Sequence, residues 1–233
     1  MARMAPYDEI ADWYEDEFLA KQRAHAAGND FADEIGLDRS LHDLLGTGTG
    51  TCLEIGCGTG VYADRVRKLG WTPIGIDISS GMLRRALARL PVVQADVAQL
   101  PFADGSLAAV IAMMAHTDMP NYPSALQEVR RVLRPGGVFV HVGVHPCFCG
   151  GFADRSNVDA VVIRPGYLDG HWTTNSWTTQ GLRDKVGAQH LPLPALLNAF
   201  VDAGLSLQEF TEGGATCPVT LAVKALKSIR HEP

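Results

Sequence analysis

The stretch Leu53-Glu-Ile-Gly-Cys-Gly-Thr-Gly60 decides how the rest of this 233-residue chain is interpreted. It overlaps a short apolar run, residues 51–55, that is typical of a buried strand, and it precedes residues with helical spacing. Glycines at positions 56, 58 and 60 let the backbone turn tightly and leave room for a ligand beside the main chain. An ordinary strand-to-helix turn would also explain such a loop taken alone, so its meaning depends on the residues around it.

Strand and helix patterns alternate on the C-terminal side of this loop. Strands are predicted over residues 51–55, 73–77, 91–95, 107–114, 137–144, 205–211 and 217–224. Helices are predicted over residues 61–69, 80–89, 121–133 and 192–203. This alternation favours an α/β fold with a doubly wound, mostly parallel sheet of seven strands. The short link Gly213-Gly214 favours an antiparallel last strand.

The segments on either side of this core have a different character. Residues 7–27 carry apolar and aromatic side chains, Tyr14 among them, at helical spacing between acids, and residues 31–45 predict a second helix. Residues 145–190 sustain neither period, so they predict an irregular cap insertion after the fifth strand. We expect one domain over residues 1–233, divided into an N-terminal helical segment (1–45), a core (46–144), the cap (145–190), and a C-terminal helix and hairpin (191–233).

Composition and charge exclude several classes of protein. Apolar residues make up 46% of the chain and the formal net charge is −6, so a sizeable core is expected and a nucleic-acid partner is not. The longest apolar run, residues 107–115, is far shorter than the ~20 residues that span a bilayer. The N-terminus has no apolar signal region, and five cysteines do not form a disulfide framework. We therefore expect a cytoplasmic protein with no membrane partner.

Two acids follow the glycine loop at informative positions. Asp77 ends the second predicted strand, where a carboxylate can accept hydrogen bonds from both hydroxyls of a ribose, and Asp96 follows the third strand. The loop itself reads G-x-G-x-G, whereas nicotinamide enzymes favour G-x-G-x-x-G. Glu54 directly before it would disfavour a pyrophosphate but suits a ligand with positive charge. A nicotinamide-dependent oxidoreductase stays as the alternative.

These residues resemble the class I S-adenosylmethionine-dependent methyltransferases that act on small molecules. Residues 53–60 match the first motif of that family, 75–79 its second-strand acid, and 95–97 its adenine-side acid. Residues 100–106 and 128–137 match the segments that flank the fourth strand and precede the fifth. The resemblance implies a Rossmann-like methyltransferase fold, the cofactor S-adenosyl-L-methionine and the product S-adenosyl-L-homocysteine.

The resemblance also implies a set of cofactor contacts. The glycine loop would surround the methionine part, Asp77 the ribose and Asp96 the adenine, and an N-terminal helix would close over the cofactor. Residues expected at the cofactor are Tyr14, Glu54, Gly56, Cys57, Gly58, Gly60, Asp77, Ile78, Met82, Asp96, Val97 and Met113.

The acceptor is expected beyond the carboxyl ends of the fourth and fifth strands, where ligands bind in doubly wound sheets. A methyl group would pass to an oxygen or nitrogen of a small molecule by in-line displacement, and only a phenol or alcohol needs a base. His145, after the fifth strand, and His116, after the fourth, are the candidate catalytic residues, since imidazole titrates near neutral pH. Each could instead be a structural histidine that anchors its loop.

Other features of the cap leave alternatives open. The pair Cys147-x-Cys149 lacks a second pair of ligands, so we expect no metal. The cap aromatics suit a flat, apolar acceptor but also suit a lid packed on the sheet. They are Phe152, Tyr167, Trp172 and Trp177. A protein that binds the cofactor without catalysis is the non-enzyme alternative, and a monomer or homodimer is expected.

Overall fold

A seven-stranded sheet forms the middle of the computed structural model, which describes residues 5–20, 35–157, 159–176 and 181–229. Its strands are β1 (Thr51–Ile55), β2 (Thr72–Asp77), β3 (Val92–Gln94), β4 (Leu107–Met113), β5 (Leu133–Val144), β10 (Leu205–Gly213) and β11 (Thr220–Lys227). Their order across the sheet is β10-β11-β5-β4-β1-β2-β3. Strand β11 is antiparallel to both of its neighbours, and the remaining pairs are parallel. The predicted α/β sheet with one antiparallel last strand is confirmed.

Helices pack on both faces of the sheet and also occur in the N-terminal segment and the cap. They are α1 (Ala11–Trp13), α2 (Leu37–Leu45), α3 (Ala63–Lys68), α4 (Ser80–Ala86), α5 (Tyr122–Val132), α6 (Leu182–Val186) and α7 (Leu193–Asp202). Local chemistry fixes several starts: the Ser79 hydroxyl accepts the Met82 N–H at the beginning of α4, and Asn121 caps α5 in the same way. The helix predicted over 31–45 is observed from Leu37, and its first residues lie outside the described ones.

Two apolar cores sandwich the sheet because consecutive strand residues point to opposite faces. On one face, Leu53 and Ile55 of β1 pack against Leu126 of α5 and Phe200 of α7. On the other face, Cys52 joins a cluster with Leu41 and Leu44 of α2 and with Val66. Both faces of the parallel strands are therefore buried, and the carboxyl edge of the sheet is left to form a site.

The N-terminal segment lies across the carboxyl edge rather than against a sheet face. A turn of 3₁₀ helix (Pro6–Asp8) leads into α1, which continues as a π-helical turn over Tyr14–Phe18. The remainder of the predicted 7–27 helix lies outside the described residues.

The cap is more regular than the sequence indicated. Strands β6 (Ala153–Asn157) and β7 (Ala160–Ile163) form one antiparallel pair, and β8 (Trp172–Thr173) and β9 (Ala188–Gln189) form another. Two small β pairs and α6 thus replace the irregular insertion that we predicted. The strands are too short for a period to be detected in the sequence. The last sheet strand is also displaced, since β11 covers Thr220–Lys227 rather than 217–224.

Candidate active site

A cavity of about 760 Å³ opens at the carboxyl ends of β1, β2, β4 and β5. Its floor includes Gly56, Asp77, Met113 and Val144, each of which lies at or directly after the end of one of these strands. The N-terminal segment and the cap supply the opposite walls. Binding at this edge is the general behaviour of open α/β sheets, because the loops that leave parallel strands meet there.

The glycine loop adopts backbone conformations that other residues rarely accept. Gly58 has φ +52° and Gly60 has φ +76°. A Cβ at Gly60 would overlap the Leu90 Cδ2 methyl and lie 3.4 Å from Ala86 Cβ, so this glycine lets α4 pack closely. A Cβ at Gly58 would meet no atom within 4 Å, which leaves open space beside its main chain. Neither residue lines the cavity, whereas Gly56 and Cys57 do.

Asp77 is tied into the loop by its own carboxylate. The Gly58 N–H donates to Asp77 Oδ2 and the Ser79 N–H donates to Oδ1, both at 2.9 Å. Burial raises the pKa of Asp77, although these N–H donors oppose the shift. Asp77 therefore holds the turn and faces the cavity at the same time.

Glu54 is the most unusual group in the cavity wall. The residue is only 2% exposed, and its Oε2 has no hydrogen-bond partner among the described residues. Desolvation, reinforced by the neighbouring charge of Asp77, raises the pKa of Glu54 to about 8, with Arg65 opposing. A buried carboxyl group without a partner is costly, so this wall is complementary to a ligand that brings a positively charged donor.

Four more of the residues expected at the cofactor lie in the cavity wall. Ile78, Met82, Asp96 and Val97 all line the cavity on the side of β2 and β3. Ile78 is 53% exposed and Met82 is buried. The structure thus brings together ten of the twelve residues, and Gly58 and Gly60 are not among the lining residues.

The N-terminal segment contributes aromatic side chains to the cavity. Tyr14 lines it as expected, and Tyr7 and Phe18 join it. The ring of Tyr14 stacks on Phe18 at 5.1 Å and meets the Tyr7 ring edge-on at 5.8 Å. Asp8 fastens the segment by accepting the Gly81 N–H and the Ser79 hydroxyl, both at 2.8 Å.

A buried polar cluster that the sequence did not reveal joins three separate segments. Asp118 accepts hydrogen bonds from the Tyr7 hydroxyl, at 3.0 Å, and from the guanidinium of Arg183. Arg183 also donates to the Thr117 hydroxyl at 3.1 Å. Tyr7, Asp118 and Arg183 all line the cavity. Tyr7 shares the helical spacing of Tyr14, but no local signal in the sequence relates Arg183 to Asp118.

Neither candidate catalytic histidine lines this cavity. The Cys147 N–H donates to His145 Nδ1 at 3.1 Å, so Nε2 carries the proton and donates to Glu212 Oε1 at 2.7 Å. Both ring nitrogens of His145 are thus engaged in holding the loop after β5.

His116 lies behind the site, in the wall of a separate cavity of about 20 Å³. Its ring packs 4.8 Å from that of His141, and its Nδ1 has no partner among the described residues. Burial, with the nearby His141 next, holds the pKa of His116 well below its usual range. The general-base role expected of either histidine therefore finds no support in this geometry, because base catalysis requires hydrogen-bond reach to the acceptor.

The cap cysteines make separate contacts. Cys147 Sγ lies 3.5 Å from the Tyr167 hydroxyl, and Cys149 Sγ lies 3.4 Å from the Val219 carbonyl oxygen. Within the described ranges, no three histidine, cysteine or acidic side chains come together as a metal site. In the same part of the chain, no helix has the length and apolar character to cross a membrane.

The sheet order and the loop at its carboxyl edge define the Rossmann-like fold of class I methyltransferases. Residues 53–141 match the family model described as a methyltransferase domain. This match confirms the resemblance to class I S-adenosylmethionine-dependent methyltransferases that the sequence indicated.

Solved and curated proteins that are named as methyltransferases resemble the chain. It resembles the crystal structure of an S-adenosylmethionine-dependent methyltransferase from Mesorhizobium loti, with a TM-score of 0.67 and 21% identity over 82% of this chain and 95% of that one. A protein of Mycobacterium ulcerans, named as a probable phthiotriol/phenolphthiotriol dimycocerosates methyltransferase 2, is 36% identical over 41% of this chain and 40% of its own. A demethylmenaquinone methyltransferase of Mycolicibacterium paratuberculosis is 36% identical over 46% and 49%. The chain thus spans less than half the length of these curated relatives.

Proposed function

We propose that this protein transfers a methyl group from S-adenosyl-L-methionine to an oxygen or nitrogen atom of a small, largely apolar molecule. The observation that carries the proposal is the buried carboxyl group of Glu54, which lines the cavity and has an oxygen without a partner among the described residues. An ammonium group would satisfy that oxygen. The pyrophosphate of a nicotinamide cofactor offers that oxygen no donor and would be repelled by the ionised form of Glu54.

The residues around the glycine loop fit S-adenosylmethionine in both charge and shape. Glu54 would hold the ammonium group of the methionine part, Asp77 the ribose hydroxyls, and Asp96 the adenine edge. The open space beside Gly58 leaves room for a ligand against the main chain. The cofactor, when bound, supplies an activated methyl group on its sulfonium.

The chain's own contribution would be orientation and the exclusion of water. Tyr7, Tyr14 and Phe18 cover the cofactor end of the cavity from the N-terminal segment. Holding two reactants in line accelerates a displacement without any acid or base, provided the acceptor is nucleophilic as it binds. The positions of His116 and His145 support a reaction of this kind.

The cavity wall near the cap supports the proposal of an apolar acceptor. Met114, Val144, Leu182 and Val219 line the cavity near the cap. Demethylmenaquinone, which the name of one relative gives as its substrate, is an apolar quinone of suitable character. We infer that the acceptor of this chain has a comparable apolar body.

Calorimetric titration with S-adenosylhomocysteine and with NADPH tests the cofactor. We expect the first to bind and the second not to bind, and we expect Asp77→Asn to weaken binding by about tenfold or more through loss of charged hydrogen bonds. Asp43→Asn, an exposed acid on α2, is the matched control and should bind as the wild type does. NADPH binding, or no binding of S-adenosylhomocysteine, would contradict the proposal.

A further inference from the structure

One cation stands out in the part of the cavity wall near the cap. Arg155 of β6 lines the cavity, whose wall also includes the apolar side chains of Met114, Val144 and Trp172. The four acids of the cavity are Glu54 and Asp77, near the carboxyl ends of β1 and β2, and Asp96 and Asp118, which follow β3 and β4. Arg155 comes from the cap instead. The two regions of the wall therefore differ in charge.

The described residues give Arg155 no carboxylate partner. Its Nη1 donates to the carbonyl oxygens of Phe148, at 3.1 Å, and Pro218, at 3.2 Å, and its Nη2 reaches that of Cys217 at 3.5 Å. Its Nε makes no hydrogen bond to any described residue. The other arginine of the cavity wall, Arg183, is paired with Asp118.

The three carbonyl oxygens fix the guanidinium without neutralising it. They belong to the loop after β5 and to the link before β11, so the side chain is held from two directions. Its Nε–H and one Nη2–H make no hydrogen bond to a described residue and are available to a ligand. That pair of parallel N–H bonds matches the two oxygens of a carboxylate.

A half-buried cation among apolar groups is strongly complementary to an anion that enters the same space, because charges interact more strongly where water is scarce. Arginine is also the residue best suited to bind a planar anion with two hydrogen bonds. We propose that the acceptor is an apolar carboxylic acid, and that Arg155 binds its carboxylate and so determines specificity. This inference rests on the proposed methyl transfer, and it concerns recognition rather than which atom receives the methyl group.

Matched eight-carbon ligands test the assignment. Protein saturated with S-adenosylhomocysteine is titrated by calorimetry with octanoate, octan-1-ol and octan-1-amine, which share one apolar body and differ in charge. We expect octanoate to bind about ten- to a hundredfold more tightly than the alcohol, the range for hydrogen bonds to a charged group, and the amine to bind most weakly. Arg155→Gln should abolish the preference for octanoate. Arg155→Lys, which keeps the positive charge but lacks the two parallel N–H donors, should retain part of it.

Arg164, directly after β7, offers a control. Arg164 pairs with Asp154 at 2.7 Å outside the cavity, so Arg164→Gln should keep the full preference for octanoate. Affinity for S-adenosylhomocysteine reports whether each variant is folded. Octanoate that fails to bind, or binds no better than octan-1-ol to the wild type, overturns the inference, as does a preference that survives in Arg155→Gln. Failure of S-adenosylhomocysteine to bind the wild type would instead contradict the proposed function.

Discussion

At the scale of single residues, the site is dominated by groups that would be unfavourable without a ligand. Glu54 is buried beside Asp77, and the desolvation of both carboxylates raises their pKa values. Such groups cluster where proteins bind charged ligands, because the ligand supplies the missing counter-charge. The ligand-free protein is therefore expected to lose stability on account of Glu54 as the pH rises from its ordinary pKa towards 8, since the folded state binds the proton more tightly.

Proton release tests this role of Glu54. With a folded-state pKa of about 8, the group is mostly neutral at about pH 7, and an ammonium group bound beside it would favour the carboxylate. Binding of S-adenosylhomocysteine should therefore release up to about one proton from Glu54. Calorimetry in buffers of different ionisation enthalpy measures the release. Glu54→Gln should show correspondingly less, and equal release from both proteins would remove Glu54 from the ammonium site.

Two glycines of the loop should respond differently to the same substitution. Gly60→Ala meets Leu90 and Ala86 and also strains the backbone, so it should destabilise the fold by about 2–4 kcal/mol. Gly58→Ala carries only the backbone strain, about 1–2 kcal/mol, but adds a methyl group to the open space beside the loop, where we propose that the ligand binds. Thermal unfolding should rank Gly60→Ala as the less stable variant. For each kcal/mol of stability lost, Gly58→Ala should lose more affinity for S-adenosylhomocysteine than Gly60→Ala, as titration measures. The opposite order would mean that the loop is only a turn.

At the scale of elements, the N-terminal segment behaves as a cover fastened to α4. Asp8 accepts hydrogen bonds from the first residues of that helix, and Arg85 reaches both Asp12 and Asp16 at 2.8 Å. Burial opposes the shift, but the donors Gly81 and Ser79 prevail and lower the pKa of Asp8. The stabilisation is thus present above the ordinary pKa of an aspartate and is lost as the pH falls through the lowered value.

Removal of this fastening should loosen the cover and leave the sheet intact. Asp8→Ala deletes the acceptor of the Gly81 N–H, so we expect faster hydrogen exchange over residues 5–19 and weaker binding of S-adenosylhomocysteine. Glu9→Ala alters the exposed neighbouring acid and serves as the control. If both variants exchange equally fast, Asp8 does not fasten the segment.

At the scale of the whole molecule, side chains far apart in the sequence join the cap to the sheet. His145, on the loop after β5, is bonded to Glu212 on the edge strand β10, and Arg183 of the cap is bonded to Asp118 after β4. These contacts connect segments that leave the sheet at different strands.

The link through His145 should contribute to stability rather than to catalysis. His145→Ala removes a buried ring and leaves the Cys147 N–H without its acceptor, which should cost about 1–3 kcal/mol and lower the Tm. Glu212→Gln preserves an acceptor oxygen and should have little effect. The pH dependence of methyl transfer should be the same in wild type and His145→Ala. Loss of the acid limb in the variant, with an unchanged Tm, would restore His145 as the base.

The sequence alone determined the elements of the sheet, the place of the glycine loop and the acids that follow β2 and β3. These depend on the spacing of apolar residues and on glycine at special backbone angles, which are local properties of the chain. Only the tertiary structure decided which polar side chains meet. It turned His145 towards Glu212, buried His116 behind the site, brought Arg183 to Asp118 and left Arg155 facing the cavity. Such pairings depend on how distant loops converge at the carboxyl edge of the sheet, and no periodic pattern in the sequence encodes that convergence.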